Sequence, residues 1–188
     1  RPSALFDRIL PPSYFHAVYD RVDADGAPQS TPWDLGEGRP QPAVVRAYEK
    51  GHLRGRILDA GCGTGEACLW LAKKHGVTEV VGCDLAEGAV REARARAARA
   101  EEEEAENPFW TRPEFFVASC ADMADRCGPG PFDVSLDAGL LHCLAEEDAE
   151  AYVRELARMV RPGGRACVGC FSTANPAEGW DNPRRLGD

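Results

Sequence analysis

The stretch Arg56-Ile57-Leu58-Asp59-Ala60, running into Gly61-Cys62-Gly63-Thr64-Gly65 and then Glu66, constrains this chain more than any other. A short apolar strand enters three glycines spaced two apart and leaves as a helix predicted over Glu66 to about His75. Glycines permit the sharp turn and let a ligand approach the backbone, and the helix start presents unpaired N–H groups. The segment therefore predicts an α/β sheet that binds a nucleotide-like ligand between a strand and the next helix.

The rest of the chain keeps that rhythm. Apolar runs at Arg56 to Ala60, Glu79 to Cys83, Glu114 to Ser119, Phe132 to Asp137 and Arg165 to Phe171 alternate with helical segments, as in a doubly wound parallel sheet with crossover helices. The stretch from Glu87 to about Glu106 sets Ala89, Val90, Ala93, Ala97 and Ala100 on one side. Another, Glu146 to Arg161, opens on acids, closes on arginines and stops at Pro162-Gly163-Gly164. Ahead of this pattern, Pro12 to Val22 predicts a short helix broken by Asp23 to Pro28. The loop Thr31-Pro32-Trp33-Asp34-Leu35-Gly36 follows, then a helix from Pro42 to about Leu53. We expect one domain over 1–188, with 1–53 as an amino-terminal helical lid and 54–188 as the cofactor-binding core.

Spacing narrows the ligand. A dinucleotide fingerprint read from Gly61 needs glycine at position 66, where this chain has Glu66, so a pyrophosphate is disfavoured. S-adenosylmethionine has no phosphate; it needs a partner for its methionine ammonium, which Asp59 can supply directly or through a water. Asp84, at the tip of the second strand and 84 − 65 = 19 residues past Gly65, is placed to accept hydrogen bonds from ribose hydroxyls. Alone, a Gly-rich turn or a strand-end Asp is commonly a structural turn or helix cap; the two in this order reinforce one another.

On these residues the chain resembles the class I S-adenosylmethionine-dependent methyltransferases over about residues 30–185. The resemblance implies a Rossmann-like sheet with helices on both faces, S-adenosylmethionine as cofactor and S-adenosylhomocysteine as product. It implies that the loop Asp59, Ala60, Gly61, Cys62, Gly63, Thr64 and Gly65 packs on the methionine and ribose parts, and that Asp84 takes the ribose with Leu85 beside the adenine. Asp122 would take the adenine amino group, Ala121 or Met123 would line the ring, and Asp137 would lie under the methionine. The segment Thr31 to Gly36, followed by Arg39-Pro40-Gln41-Pro42, is similar to the amino-terminal segment of the thiopurine, thiol and halide methyltransferases, where the Trp, here Trp33, packs over the cofactor. The alternative account of Trp33 is a Trp that simply pins a loop to the core. Members of the class usually continue past a segment like Pro183-Arg184-Arg185 into a further helix and two more strands, one antiparallel. Here those terminal strands are either missing from the sequence or absent from a shortened sheet.

The implied reaction is an in-line displacement at a sulfonium methyl, helped mainly by alignment and exclusion of water. Oxygen and nitrogen nucleophiles often need a general base; thiolates and halides do not. The candidates are His142 and Asp137, but His142 within Leu140 to Leu144 reads better as a packing residue, and Asp137 can serve the cofactor alone. We therefore expect a small soft acceptor, a thiol, halide or chalcogen species. An oxygen or nitrogen acceptor, or a binding module without turnover, is the alternative. Leu136-Asp137-Ala138-Gly139 is unlike the Asn/Asp-Pro-Pro-aromatic signature of methyltransferases acting on amino groups of DNA or glutamine.

Composition excludes other classes. A net charge of −9 disfavours a phosphate backbone as partner, so no nucleic acid is expected. No apolar run reaches the length of a membrane span, and a cytoplasmic monomer is expected, although a start at Arg1 leaves room for a trimmed targeting segment. The eight cysteines sit in apolar stretches and read as reduced thiols. Cys167 and Cys170, three apart on a predicted strand, would face opposite sides of the sheet, so no metal site is expected. Glu146 and Glu147 complement a helix start, and the acidic run Glu101 to Glu106 reads as a solvated helix end.

Overall fold

Neighbouring residues on the central strands part to opposite sides of one sheet. Ile57 and Val80 enter one core with Leu71, Val90, Ala93 and Phe115, while Leu58 and Val81 enter a second with Met123, Phe132, Tyr152, Leu156 and Met159. This alternation, with both faces buried, is what a parallel sheet covered on two sides requires. The computed structural model describes residues 11–22, 29–31, 33–36, 38–128 and 130–170. Their elements are α1 (Pro12–Tyr19), α2 (Pro42–Glu49), β1 (Gly55–Ala60), α3 (Glu66–Leu71), β2 (Val77–Asp84), α4 (Glu87–Glu103), β3 (Glu114–Val117), α5 (Met123–Arg126), β4 (Phe132–Asp137), a 3-10 turn (Leu141–Cys143), α6 (Glu146–Met159) and β5 (Val160–Val168). The strand order is β3-β2-β1-β4-β5, all parallel.

Local chemistry accounts for the helices. Both α1 and α2 begin on proline, whose missing N–H costs nothing there. Helix α4 turns Ala89, Val90, Ala93 and Ala97 inward, and α6 carries Glu146, Glu147 and Asp148 in its first turn and Arg158 in its last, complementing its dipole. Helices α3 and α4 cover one face with α2, and α5 and α6 cover the other. The winding direction therefore reverses between β1 and β4, and a crevice opens at the carboxyl ends of those strands.

The carboxy-terminal strand differs from expectation. Pro162-Gly163-Gly164 was expected to stand between α6 and the strand, whereas β5 begins at Val160 and contains all three. The turn chemistry is still used, as a bulge. The β4 partners step from Phe132↔Val160 to Val134↔Arg165, so the extra β5 residues loop out with Gly163 at φ 77°. The strand closes at Val168, short of the expected Phe171. Residues Asp23 to Pro28, Pro32, Phe171 and Pro183 to Arg185 lie outside the described residues.

Ile57 is fully buried on the central strand. Ile57→Val removes one methylene there and is expected to cost about 1 kcal/mol of stability, read from the urea midpoint at unchanged slope.

Candidate active site

A cavity of about 1370 Å³ lies over the carboxyl ends of β1, β2 and β4. Its volume exceeds the 300–1,000 Å³ or so typical of a single small-molecule pocket, which leaves room for two ligands side by side. Its floor is the glycine loop. Gly61 and Gly63 hold φ at 72° and 54°, and a Cβ on Gly63 would stand 2.7 Å from the Tyr19 hydroxyl. Only glycine lets the backbone form this floor without strain.

Among the carboxylates that line the cavity, three stand at strand ends, one on each of three adjacent strands; Asp34, Glu66 and Asp148 line it from elsewhere. Asp84 ends β2 and accepts the Gly63 N–H at 3.0 Å and the Ala86 N–H at 2.9 Å, tying the loop to the start of α4. Burial raises its carboxyl above the usual range, and those two N–H groups oppose the shift. Asp137 ends β4 and accepts the N–H groups of Gly139 (2.9 Å), Leu140 (2.7 Å) and Leu141 (3.0 Å). It too is raised by burial, against those same bonds. Asp59, on β1 between them, is 1% exposed and accepts the Cys68 thiol at 3.1 Å. Burial pushes it up to about 7; the thiol opposes this, and the charges of Asp137, Asp84 and Glu66 add to it. A cluster of buried and half-buried acids at a glycine floor suits a ligand carrying positive charge and hydroxyl donors.

The opposite wall is aromatic. Tyr14, Phe15 and Tyr19 from α1 and Trp33 from the loop before α2 all line the cavity. The Trp33 indole N–H donates to the Tyr19 hydroxyl at 3.1 Å, and the two rings meet edge to face at 6.0 Å. Gln41 donates to the Trp33 carbonyl at 2.7 Å, and Asp34 accepts the Thr31 N–H, so this loop is held at both ends.

Of the residues singled out in the sequence, Trp33, Asp59, Gly61, Cys62, Gly63, Asp84, Leu85, Met123, Asp137 and His142 meet at this cavity. Others stand back from its wall. Ala60 is in the core under the sheet, and Thr64 donates to Glu66 at 2.7 Å. Gly65 packs beneath Phe115 and Ala93, where a Cβ would come within 2.9 and 3.2 Å of them. Ala121 and Asp122, expected at an adenine, form a turn beside the cavity and are not in its lining. Asp122 accepts the Ser119 N–H at 2.7 Å and faces Arg126, and the neighbouring Ser119 and Cys120 line the cavity. His142 is 6% exposed, and burial pushes its imidazole down to about 4.

The reading of Cys167 and Cys170 needs correction. Cys170 lies beyond the end of β5, so strand alternation does not separate the pair, and both line the cavity with Cys143. All eight cysteines are free thiols, and among the described residues no group of three or more His, Cys, Asp or Glu side chains is placed to hold a metal. No described helix is long and apolar enough to cross a membrane. Sequence reasoning missed Tyr19, Phe15 and Cys68. The i, i+4 spacing of Phe15 and Tyr19 marked one helix face, but nothing in it said what that face would cover.

Residues 57–164 match a family model described as a methyltransferase domain. Over 157 residues the chain is 31% identical to a 2-heptyl-1-hydroxyquinolin-4(1H)-one methyltransferase of Mycobacteroides abscessus, spanning 84% of this chain and 63% of that protein. It is 34% identical over 172 residues to a ubiquinone/menaquinone biosynthesis C-methyltransferase of Syntrophotalea carbinolica, 89% of this chain and 60% of that protein. A solved structure from work on the conversion of a disulfide bond into a thioacetal group during echinomycin biosynthesis superposes with a TM-score of 0.70 at 32% identity, covering 94% of this chain and 71% of that one.

Proposed function

This chain belongs to the methyltransferase domain family, and from that premise we propose that it transfers a methyl group from S-adenosylmethionine to a small, largely apolar acceptor through a soft nucleophile: a thiol, halide or chalcogen species. The observation that carries the acceptor class is the state of the two acids and bases nearest the strand end. Asp137 is committed to three backbone N–H groups, and His142 is pushed to about 4, far below the range in which an imidazole is an effective base. A nucleophile that ionises on its own suits such a site. The solved relative associated with converting a disulfide into a thioacetal supports sulfur chemistry, as does the likeness of the Trp33 segment to the thiol and halide methyltransferases.

The residues present fit the cofactor: a glycine floor at positive φ, and the strand-end carboxylates Asp59, Asp84 and Asp137 facing a cavity with room for a second ligand. When bound, S-adenosylmethionine supplies an electrophilic methyl on a sulfonium. In this reading Asp59 holds the ammonium and Asp84 the ribose, while Leu85, Cys120 and Met123 bound the adenine. Tyr19 and Trp33 close over the loop and exclude water, so alignment and a dry site do the catalysis.

The aromatic wall of Tyr14, Phe15, Tyr19 and Trp33 favours a second reading, a flat heterocycle methylated on oxygen or nitrogen, in keeping with the hydroxyquinolone relative. Labelled S-adenosylmethionine offered with thiols, iodide, phenols and hydroxyquinolones separates the two. Thiol or iodide methylation is expected, and labelling confined to oxygen or nitrogen acceptors would sink the first reading. Binding without turnover on any of them would mean a non-catalytic module.

A pH profile gives the mechanistic test. At saturating donor, the rate is expected to rise with pH until the acceptor thiol ionises, and to shift when a thiol of different acidity is used. His142→Gln should stay within about tenfold of wild type, since losing a true general base costs roughly 10²–10⁴. A profile fixed by the enzyme regardless of acceptor would overturn base-free transfer.

A further inference from the structure

The three strand-end carboxylates of the cavity, Asp59, Asp84 and Asp137, are unequally supported. Backbone N–H groups held by the fold stabilise a carboxylate charge well, and Asp84 has two and Asp137 three. Asp59 is the most enclosed by like charge, with Asp84 and Asp137 on the flanking strands, and it accepts from a thiol, a weak donor. The titratable groups facing it are Asp84 from β2, Asp137 from β4, Glu66 and Cys68 from α3, Cys62 from the loop and Tyr152 from α6, all of them acids. Glu66 is ion-paired with Arg96, whereas Asp59 accepts the Cys68 thiol, and of these carboxyls Asp59 is the one best placed to keep a proton.

We propose that Asp59 is the proton-exchanging carboxylate of this site. It stands protonated while the cavity is open and releases its proton to solvent as the donor's ammonium arrives, with the Cys68 thiol as its positioning partner. The inference rests on reading the site as that of S-adenosylmethionine. Burial, which pushes Asp59 to about 7, agrees with it. The sign follows from linkage. Below that pH the empty site holds the proton and the bound site does not, so donor affinity falls as pH drops and levels off above it. Each unit below the midpoint costs about tenfold.

Titration calorimetry on the full chain, in buffers of low and high ionisation enthalpy from pH 5.5 to 7.5, reads this directly. S-adenosylmethionine and S-adenosylhomocysteine serve as probes, since both carry the ammonium, which stays largely protonated across that range. Close to one proton should be released per donor at the acid end, the released fraction should fall toward pH 7.5, and affinity should rise by more than about tenfold over the range. Asp59→Asn should bind more weakly and release none. Cys68→Ala should move the midpoint up, and Cys68→Ser should bring it back toward wild type.

Binding with buffer-independent heat and flat affinity would overturn the proposal while leaving the cofactor reading intact; no binding at any pH would overturn both. Undiminished release from Asp59→Asn would overturn the assignment to Asp59, and an unmoved midpoint in Cys68→Ala would remove the role of Cys68.

Discussion

Asp84→Ala is expected to weaken S-adenosylmethionine binding by roughly 100-fold or more, the larger part of it without unfolding the chain. One carboxylate does two things here. Its oxygens accept the N–H groups of Gly63 and Ala86, which set the glycine loop against α4, and the same group faces the cavity where a ribose would present its hydroxyls. Truncation removes the charge-assisted bonds to the ligand and leaves two N–H groups without their acceptor, each costing about 1–3 kcal/mol where water cannot replace it. Asp84→Asn keeps the side-chain volume and one oxygen, so its loss should be intermediate. Calorimetry with donor and product measures the affinity, and a melting curve run without ligand separates a loosened loop from a lost contact. Wild-type affinity in Asp84→Ala would refute the ribose role.

The parts of this molecule that could be read from the sequence are those where local chemistry has one solution. Ile57 and Leu58 are apolar neighbours on a strand buried on both faces, and the glycines after them sit where positive φ is required, so β1, its loop and α3 follow directly. The β5 start was not legible. Proline and two glycines signal a break equally well as a turn before a strand or as a bulge inside one, and only pairing with β4 decides between them. Asp122 illustrates a second ambiguity, because an Asp in the loop after a strand can meet a ligand or hold its own turn, and here it accepts the Ser119 N–H.

Other parts depended on docking. Cys68 reaches Asp59 only because α3 packs back on β1, a contact nine residues apart that helical spacing does not reveal. The aromatic wall is the extreme case. Tyr14, Phe15 and Tyr19 belong to an eight-residue helix that gains its meaning from lying against α4 and across the glycine loop. Its short length and single buried residue, Val18, give little periodicity to read.

That docking can be tested through Gly63. Gly63→Ala is expected to cost about 2–4 kcal/mol of stability and at least tenfold in donor affinity, from two separable causes. The backbone sits at φ 54°, where an L side chain is strained by about 1–2 kcal/mol. The new methyl would also stand 2.7 Å from the Tyr19 hydroxyl, which is held by the Trp33 indole N–H. Tyr19→Phe alone keeps the ring against Trp33 and loses one hydrogen bond, a cost of about 0.5–1.5 kcal/mol. In the double variant the missing hydroxyl makes room for the methyl, so the steric part is relieved and the strain remains. The two substitutions should therefore be non-additive, the double variant being more stable than the sum predicts by about 0.5–3 kcal/mol, as expected for side chains in contact. Denaturant unfolding of the four proteins in the cycle measures this coupling. Strict additivity would mean that α1 does not lie over the loop in solution, and the aromatic wall, with the second acceptor reading that depends on it, would fall with that contact.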